Sequence, residues 1–488
     1  MSLENRPNII LLVVDQMRAD ALSYNSFDSF VSTPTLDMMA SQGYNFENAY
    51  SPVPSCVPAR VALLTGLDQE HSGRIGYEDE VPWNFTNTLP QTFKDMGYQT
   101  QSIGKMHVYP SRKRLGFDNV ILHDGYLHVD RKYDKPFGRS FDYSSDYLAF
   151  LKGELGYQAD IIDNGMNCNS WEARPWQEEE YLHPTNWTVS EAIKFLQRRD
   201  PTMPFFLKLS FEKPHAPLDP PKYYFDMYMD CLPDDIDLHI GNWEELDDGI
   251  TGIYALKGKL KKGDQRRMLA GYFGLITHLD HQISRLLTAL KEFRHDKDTI
   301  IWFVSDHGDQ IGEHYLFRKG YPYQGSIRVP SFIYDPANLI AGHRSSIRQL
   351  VKLQDIFPSL VDLVGGGLVD TDGKSVRQLL FGHYEGWRTE FHGEHALARD
   401  SSQYIMTEKW KFIWFPVRDV YQLFDIENDP NEMHNLIKEK KYVPVIKEMT
   451  QKMIAYLQNR PEGFVKNGCL SAVPVDVIVS TIEKSIVD

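Results

Sequence analysis

Polar residues that could do chemistry stand just past the ends of several apolar runs of the chain. Each run predicts a strand buried on both faces of a parallel sheet, and the carboxyl ends of such strands meet at the edge where α/β proteins build their sites. A single polar cluster in this position is more often an ordinary turn, but four clusters in one chain favour a shared site. The residues concerned are Asp15, Gln16, Lys105, His107, His215, Asp306 and His307.

Four of these residues suit a divalent cation. Asp15 and Gln16 follow one predicted strand, and Asp306 and His307 follow another. Carboxylate and amide oxygens favour a hard ion such as Ca²⁺ or Mg²⁺, and an imidazole also admits Mn²⁺. We therefore expect one divalent cation, with Ca²⁺ preferred. The alternative is that residues 306–309 form a capped turn without a metal.

One cysteine is placed where its thiol would be activated. In the segment Ser55-Cys-Val-Pro-Ala-Arg-Val-Ala-Leu-Leu-Thr-Gly66, Pro58 suits the first turn of a helix that Gly66 would end. Cys56 then stands at the helix N-terminus, where a thiol pKa is lowered and backbone amides bind anions. Arg60, one turn later, can hold the thiolate or an anionic substrate. A single cysteine before a helix is more often inert, so the segment alone does not establish a nucleophile.

The elements that must position these residues alternate along the chain. Strands are predicted over residues 9–14, 98–103, 205–210 and 299–304. Between them, apolar residues at steps of three and four predict amphipathic helices over residues 187–198 and 266–293. This alternation predicts an α/β fold whose mostly parallel sheet is covered by helices on both sides.

The pattern changes after a predicted helix over residues 354–364. Short segments at 404–407, 411–414 and 420–424 predict antiparallel strands, and a helix follows over residues 443–457. We therefore expect a catalytic domain over residues 1–385 and a small α+β domain with an antiparallel sheet over residues 386–488. The Pro-, Asp- and Gly-rich stretch over residues 218–262 predicts a long surface excursion.

Composition excludes several classes of protein. The 488 residues include 52 Lys and Arg against 67 Asp and Glu, a net charge of −15 that disfavours binding to nucleic acid or anionic membranes. The longest aliphatic run, residues 9–14, is far shorter than the ~20 residues of a membrane span. The first residues lack the pattern of a secretory signal. We therefore expect a cytoplasmic location for the chain as written, and a periplasmic one if a leader has been removed.

Several segments together resemble the sulfatase family. Cys56-Val-Pro-Ala-Arg60, continued by Leu63-Leu-Thr-Gly66, is similar to the family signature whose cysteine is oxidised after translation to formylglycine. The other matching segments, in order, are residues 8–15, Gly104-Lys-Met-His107, Lys213-Pro-His-Ala-Pro217, Ser305-Asp-His-Gly308 with Lys319-Gly320, and residues 421–436. The resemblance spans most of the chain and implies the alkaline-phosphatase-like α/β fold with a small C-terminal sheet domain.

The resemblance also implies a reaction and roles for individual residues. The expected reaction is hydrolysis of a sulfate monoester, with the hydrate of a formylglycine at position 56 as nucleophile and as a further ligand of the cation. A formylglycine-generating enzyme is then an expected partner. The implied roles are orientation of the hydrate by Arg60, neutralisation of the sulfuryl oxygens by Lys105 and Lys319, base catalysis by His107, and assistance to the leaving group by His215 and Lys319.

Two residues leave alternatives open. Gln16 stands where many members have a second Asp, and His307 stands where many have Asn. Both substitutions occur in the same superfamily among phosphonate and phosphate ester hydrolases, so a phosphonate monoester or phosphodiester hydrolase is the alternative enzyme. A non-catalytic binding protein with an unmodified Cys56 is a further alternative.

The alcohol half of the substrate is expected to meet aromatic and basic side chains. Such side chains suit a sulfated carbohydrate, small or oligosaccharide, through ring stacking and charge pairing. Each of them is individually more often a surface or packing residue. The candidate positions are His71, Arg74, Arg112, Trp171, Arg174, Trp176, His392 and His395.

Overall fold

The computed structural model describes residues 6–23, 30–125, 143–241, 243 and 252–478. The strands in this part are β1 Asn8–Asp15, β2 Tyr44–Phe46, β3 Ala49–Tyr50, β4 Gln99–Gly104, β5 Asn119–Leu122, β6 Phe205–Pro214, β7 Thr299–Ser305, β8 Ser331–Tyr334, β9 Ser346–Ile347, β10 Val351–Lys352, β11 Glu390–His395, β12 Ser402–Thr407, β13 Trp410–Phe415, β14 Val420–Asp425, β15 Val465–Lys466 and β16 Cys469–Leu470. The main sheet has the order β5-β4-β6-β1-β7-β8-β2-β9. Its first five strands are parallel, and β8 runs antiparallel to both neighbours.

Strand β1 shows why this sheet lies in the centre of the fold. All of its residues are buried, and alternate side chains point to opposite faces. Ile10 and Val14 pack into one large apolar cluster, whereas Ile9 and Val13 pack into another on the opposite face. The four predicted strands are confirmed as β1, β4, β6 and β7, and so is the α/β fold with a mostly parallel sheet.

Helices cover both faces of the sheet. They are α1 Pro34–Ser41, α2 Cys56–Thr65, α3 Gln69–Ser72, α4 Leu89–Asp95, α5 Asp146–Leu155, α6 Pro184–Arg198, α7 Lys222–Cys231, α8 Lys262–Glu292, α9 Gln324–Ile327, α10 Ile356–Leu363, α11 Arg377–Leu380 and α12 Val443–Leu457. Helices α1, α6, α7 and α8 share the apolar cluster on one face, and α2, α4 and α10 share the cluster on the other. No helix within the described ranges has both the length and the apolar character needed to cross a membrane.

The prediction of a surface excursion over residues 218–262 is wrong for residues 222–231, which form a helix. Helix α7 lies within it and buries Tyr224, Phe225 and Tyr228. Phe225 and Tyr228 pack in the same apolar cluster as the long helix α8. The buried positions at steps of one and three are hard to recognise in the sequence, because prolines and acidic residues flank this short aromatic segment.

The C-terminal region contains the predicted antiparallel strands. Strands β11 to β14 form a four-stranded antiparallel sheet in chain order. On one face, Phe391 and Ile413 join a cluster that includes Tyr50 and Ile327 of the main body. On the other face, Ile405 packs with residues of α12.

Candidate active site

Four adjacent strands end together at one edge of the main sheet. Their order is β4-β6-β1-β7, and each is followed or ended by a polar residue that the sequence singled out. Lys105 follows β4, His215 follows β6, Asp15 ends β1 and Asp306 follows β7. The parallel arrangement therefore places side chains from distant parts of the sequence at one site.

Cys56 enters this site as the first residue of α2. The helix ends at Gly66, which has φ +69° and donates its N–H to the Ala62 carbonyl, as a left-handed C-terminal glycine does. Cys56 is only 2% exposed. Its Sγ lies 3.2 Å from His307 Nε2 and 3.7 Å from Asp15 Oδ1.

Arg60, one turn into α2, is completely buried and connects the helix to the sheet edge. Its Nη1 donates to the Lys105 carbonyl at 3.0 Å and to Ser210 Oγ at 2.9 Å. Its Nη2 lies 2.9 Å from Asp306 Oδ2 and 3.6 Å from Asp15 Oδ2. This guanidinium fixes the two carboxylates relative to the helix that carries Cys56.

The residues expected to bind a metal are brought together. Donor atoms of Asp15, Cys56, Asp306 and His307 all lie within 4.8 Å of one another. His307 Nδ1 lies 2.9 Å from the Gly308 carbonyl, so it carries the proton and leaves the Nε2 lone pair directed toward the cluster. All four side chains are buried.

This donor set fits a divalent cation. Asp15 Oδ2 and Asp306 Oδ2 are buried and accept no hydrogen bond from the described residues, although each has an ion-pair partner. Burial lowers the pKa of His307, but Asp306 and Cys56 raise it by more, so the cluster favours a positive charge at Nε2, which either a proton or a metal cation can supply. Two carboxylates with one imidazole match a hard or intermediate ion.

Gln16 lies at the border of the cluster with φ +70°. Its backbone N–H donates to Asp306 Oδ1 at 3.1 Å. Its side-chain Oε1 accepts from Lys319 Nζ at 2.6 Å, and its Nε2 donates to Asp309 Oδ2 at 2.5 Å. The Gln16 amide thus connects the cluster to Lys319.

The electrostatics of the site favour an anion at Cys56. Burial and the neighbouring Asp15 each raise the pKa of the thiol. Lys319, Lys105 and His307 lower it by more, so the thiol pKa lies below its ordinary value. Lys105 Nζ is also 2.5 Å from Asp15 Oδ2. Positive charge concentrates locally despite the acidic composition of the chain.

Lys319 and His215 form a hydrogen-bonded pair. His215 Nδ1 lies 2.9 Å from the Ala216 carbonyl and therefore carries a proton. His215 Nε2 is then the acceptor for Lys319 Nζ at 2.6 Å. Burial and the Lys319 charge hold the pKa of His215 well below its ordinary value, which keeps the imidazole neutral.

His107 is held by a short loop after β4. It has φ +58°, and its backbone N–H donates to Asp124 Oδ1 at 2.9 Å. Its Nε2 lies 3.3 Å from the Tyr77 hydroxyl, and its Nδ1 is a buried atom without a partner among the described residues. Burial, followed by the Lys105 charge, lowers the pKa of His107 well below its ordinary value, so the imidazole is a neutral base.

A cavity of about 370 Å³ opens onto these groups. Six of the residues expected in the site line it: Cys56, Lys105, His107, His215, Lys319 and His395. Further lining residues that the sequence did not single out are Ser55, Tyr77, Asp79, Asp124, Gly125, Cys168, Asn169, Glu212, Leu256, Arg318 and Leu397.

Most of the expected substrate-wall residues have other partners and are not among the residues that line this cavity. The imidazole of His71 pairs with Asp372, Arg74 donates to the Pro82 carbonyl, and Arg112 pairs with Asp146. Trp171 donates to the Gly252 carbonyl, Trp176 donates to the Glu179 carbonyl, and Arg174 Nη2 lies near Gly165. His392 is buried between Glu70 and Gln403.

Comparison with known proteins identifies the family. Residues 7–366 match the family model described as sulfatase, and residues 312–459 match the model described as N-sulphoglucosamine sulphohydrolase, C-terminal. The arylsulfatase of Clostridium perfringens (strain 13 / Type A) is 48% identical over 480 residues, which cover 97% of this chain and 99% of that protein. The chain belongs to the sulfatase family. This sulfatase is therefore an enzyme that hydrolyses sulfate esters, which sets aside the alternative of a non-catalytic binding protein.

Solved structures share the fold of this sulfatase. One was determined in complex with its substrate D-glucosamine-2-N,6-O-disulfate; the TM-score is 0.75 at 22% identity, over 93% of this chain and 99% of that chain. Another is the phosphonate monoester hydrolase of Agrobacterium radiobacter, with a TM-score of 0.74 at 24% identity, over 92% of this chain and 95% of that chain. The likeness confirms the alkaline-phosphatase-like α/β fold of this sulfatase.

Proposed function

We propose that this sulfatase hydrolyses the sulfate ester of a carbohydrate at a formylglycine made from Cys56, beside one bound divalent cation. The position of the Cys56 thiol carries the proposal. It lies 3.2 Å from His307 Nε2, within the cluster of buried carboxylates, and lines the same cavity as Lys105 and Lys319. A nucleophile, a cation site and two ammonium groups are what transfer of a sulfuryl group requires.

The size of the cavity and the similarity to known proteins both support a sugar as the alcohol half of the substrate. A cavity of about 370 Å³ is in the range that holds a small ligand. A protein of the same fold was solved with a sulfated glucosamine as its substrate, and the C-terminal part of this chain matches the N-sulphoglucosamine sulphohydrolase model.

Asp15, Asp306, His307 and the side chain of residue 56 would hold the cation, with Gln16 as a further ligand after release from Lys319. We propose Ca²⁺, with Mg²⁺ or Mn²⁺ as alternatives, because oxygen donors predominate. When bound, the cation supplies positive charge beside the sulfate and makes a neighbouring hydroxyl easier to deprotonate. A separate maturation enzyme would convert Cys56 to formylglycine, whose hydrate supplies the hydroxyl nucleophile.

The side chains around residue 56 bind and orient the sulfate. Lys105 and Lys319 present ammonium groups to the sulfuryl oxygens, where they stabilise the charge of the transition state. Arg60 holds the N-terminal turn of α2 against Asp306, so that residue 56 keeps its position relative to both lysines.

His107 and Lys319 move protons at opposite stages, and His215 positions Lys319. Neutral His107, whose Nδ1 has no partner among the described residues, accepts a proton from the hydroxyl on residue 56. Lys319 donates a proton from Nζ toward the leaving alcohol oxygen, and its hydrogen bond to His215 Nε2 orients that donor.

A phosphonate monoester is the second candidate substrate of this sulfatase. Gln16 and His307, which favour it, both lie at the cluster, and the fold is shared with a phosphonate monoester hydrolase. Relative turnover of a sulfate and a phosphonate ester separates the two candidates.

The proposal is tested at residue 56 itself. Mass spectrometry of the peptide that contains residue 56 should show formylglycine in the active enzyme, and Cys56→Ala should remove turnover of sulfated monosaccharides. Cys56→Ser is the matched variant that keeps a hydroxyl but no aldehyde, and it should fail to turn over repeatedly. An unmodified cysteine in a fully active enzyme would contradict the proposal.

We also propose that the chain divides near residue 385 into a catalytic domain and a C-terminal domain. The four-stranded sheet that begins at Glu390 supports this division, as does its separate apolar cluster with α12. Limited proteolysis that cuts first near residue 385 is the expected result, and first cuts within β11 to β14 would contradict it.

A further inference from the structure

One acidic side chain of the cavity has no part in the proposed mechanism. Glu212 lies on β6, three residues before His215, and lines the same cavity as Cys56 and Lys319. Its side chain is largely removed from bulk water, since the residue is 6% exposed. A buried carboxylate is costly unless an opposite charge or hydrogen-bond donors compensate it.

The described residues compensate Glu212 only in part. Lys213 Nζ lies 3.4 Å from Glu212 Oε2, but it lies 2.7 Å from Asp219 Oδ1 and donates to the Pro217 carbonyl at 2.7 Å. Two carboxylates therefore share one ammonium, and Asp219 is the nearer. Glu212 Oε2 accepts no hydrogen bond within the described ranges.

The other acidic side chains on the cavity wall already have donors. Asp124 accepts the backbone N–H groups of residues 106 and 107. Asp79 accepts the Tyr77 hydroxyl at 2.7 Å. Among the three acidic side chains in the described lining, Glu212 is the one with a buried carboxylate oxygen that accepts no hydrogen bond.

Gly125 provides the room that Glu212 occupies. A Cβ at this position would stand 2.9 Å from Glu212 Cγ and 3.3 Å from its Oε1. Gly125 also has φ +79°, which favours glycine. The wall is therefore built so that the Glu212 carboxylate fits beside the cavity.

The charge balance favours a positive group next to Glu212. Burial raises the pKa of Glu212 to about 7, so a bound cation would stabilise its ionised form. Lys105 and Lys319 already concentrate positive charge around Cys56. One cavity therefore presents a positive region for the sulfate and a negative group for another part of the substrate.

We propose that Glu212 binds a primary ammonium group on the alcohol half of the substrate. The preferred substrates are then amino-bearing sulfate esters, whose sulfate contacts the lysines and whose ammonium contacts Glu212. This inference rests on the proposed function, because it takes the cavity to be the site of the sulfate ester.

The test compares two aryl sulfates that differ by one amino group. We would measure kcat/KM at pH 8 for 4-(aminomethyl)phenyl sulfate and 4-methylphenyl sulfate, with the 3-substituted pair to allow for a different distance. In at least one pair, the wild type should have a higher kcat/KM for the substrate with the ammonium group. Glu212→Gln should reduce this ratio of kcat/KM values by about tenfold, as expected for loss of one close charge pair. The ratio between substrates cancels any general effect of the substitution on turnover.

Asp79→Asn is the matched control, since it removes another carboxylate from the same cavity and should keep the wild-type preference. An equal preference in wild type and Glu212→Gln would overturn the proposal, and so would an equal loss in Asp79→Asn. If Glu212→Gln fails to fold, product inhibition of the wild type decides. 4-(Aminomethyl)phenol should then inhibit about tenfold more strongly than 4-methylphenol, and equal inhibition would overturn the proposal.

Turnover of 4-methylphenyl sulfate, which carries no amino group, by the wild type tests the proposed function separately. If only the corresponding phosphonates are hydrolysed, the sulfatase proposal fails. The preference for an ammonium group can then be measured on the phosphonate pair, with the same two outcomes for Glu212.

Discussion

Replacement of Asp124 by alanine tests whether one carboxylate holds the base in position. Asp124 Oδ1 accepts the backbone N–H groups of Met106 at 2.6 Å and of His107 at 2.9 Å. His107 has φ +58°, a conformation that a non-glycine residue adopts only when its surroundings hold it there. Loss of Asp124 should therefore release the His107 loop.

The size of the effect follows from these two bonds. A hydrogen bond to a charged group contributes about 1.5–3 kcal/mol. The two bonds from Asp124 therefore stabilise the His107 loop by at most about 6 kcal/mol. In Asp124→Ala, water can replace part of this stabilisation by accepting hydrogen bonds from the two backbone N–H groups, because Asp124 lines the cavity. We expect about 2–3 kcal/mol of lost support for His107, which lowers kcat by about 30- to 150-fold.

The assay measures kcat and KM for an aryl sulfate in wild type, Asp124→Ala and the matched variant Asp124→Asn. The asparagine keeps an oxygen acceptor without the charge, so its kcat should fall by only about fivefold. The loss should fall on kcat rather than KM, since His107 is proposed to move a proton. A kcat within about threefold of wild type in Asp124→Ala, with the protein folded, would refute the reasoning, as would equal impairment of both variants.

Three further predictions follow from the buried charges. A chelator should abolish turnover, and Ca²⁺ should restore it in the wild type but not in Asp306→Ala; full activity in protein shown by metal analysis to be free of divalent ions would contradict the cation site. Arg60→Ala should lower the free energy of unfolding by about 3–5 kcal/mol, measured by urea unfolding, because it leaves two buried carboxylates without their guanidinium; a loss below about 1 kcal/mol would contradict this. Burial, with smaller effects of nearby lysines, lowers the pKa of His123 from 6.5 to about 3 in the folded chain, so its neutral form contributes stability above pH 6.5 that is lost as the pH falls toward 3. Urea unfolding should therefore be measured at pH 7 and pH 5 for wild type and His123→Phe. Below pH 6.5 the free energy of unfolding of wild type should fall by up to about 1.4 kcal/mol per pH unit more than that of His123→Phe. The same change with pH in both proteins would contradict this.

The sheet edge could be predicted because its sequence pattern is local. Strand β1 is an unbroken aliphatic run that ends in Asp15, and β7 is followed by Asp306 in the same way. Once such strands are parallel neighbours, their end residues must meet, whatever the length of chain between them. The helix that Gly66 ends places Cys56 at a helix N-terminus, but the resemblance of residues 56–66 to the sulfatase signature is what marks Cys56 as the nucleophile.

The wall of the cavity could not be predicted because long-range pairing decides it. His71 has the residue type of a sulfate-binding side chain, but Asp372, some three hundred positions away, pairs with its imidazole. His392 is likewise buried against Glu70. Glu212 gives no signal in the sequence, because it lies inside the strand β6, where its neighbours Phe211 and Lys213 resemble ordinary strand residues.

The most direct test of the proposed function is a comparison of kcat/KM for an aryl sulfate and the matching aryl phosphonate monoester. The enzyme should have residue 56 confirmed as formylglycine by mass spectrometry, and Cys56→Ala should serve as the blank. We predict turnover that depends on Cys56 and a clear preference for the sulfate. A preference for the phosphonate, or sulfate turnover that persists in Cys56→Ala, would contradict the proposed function.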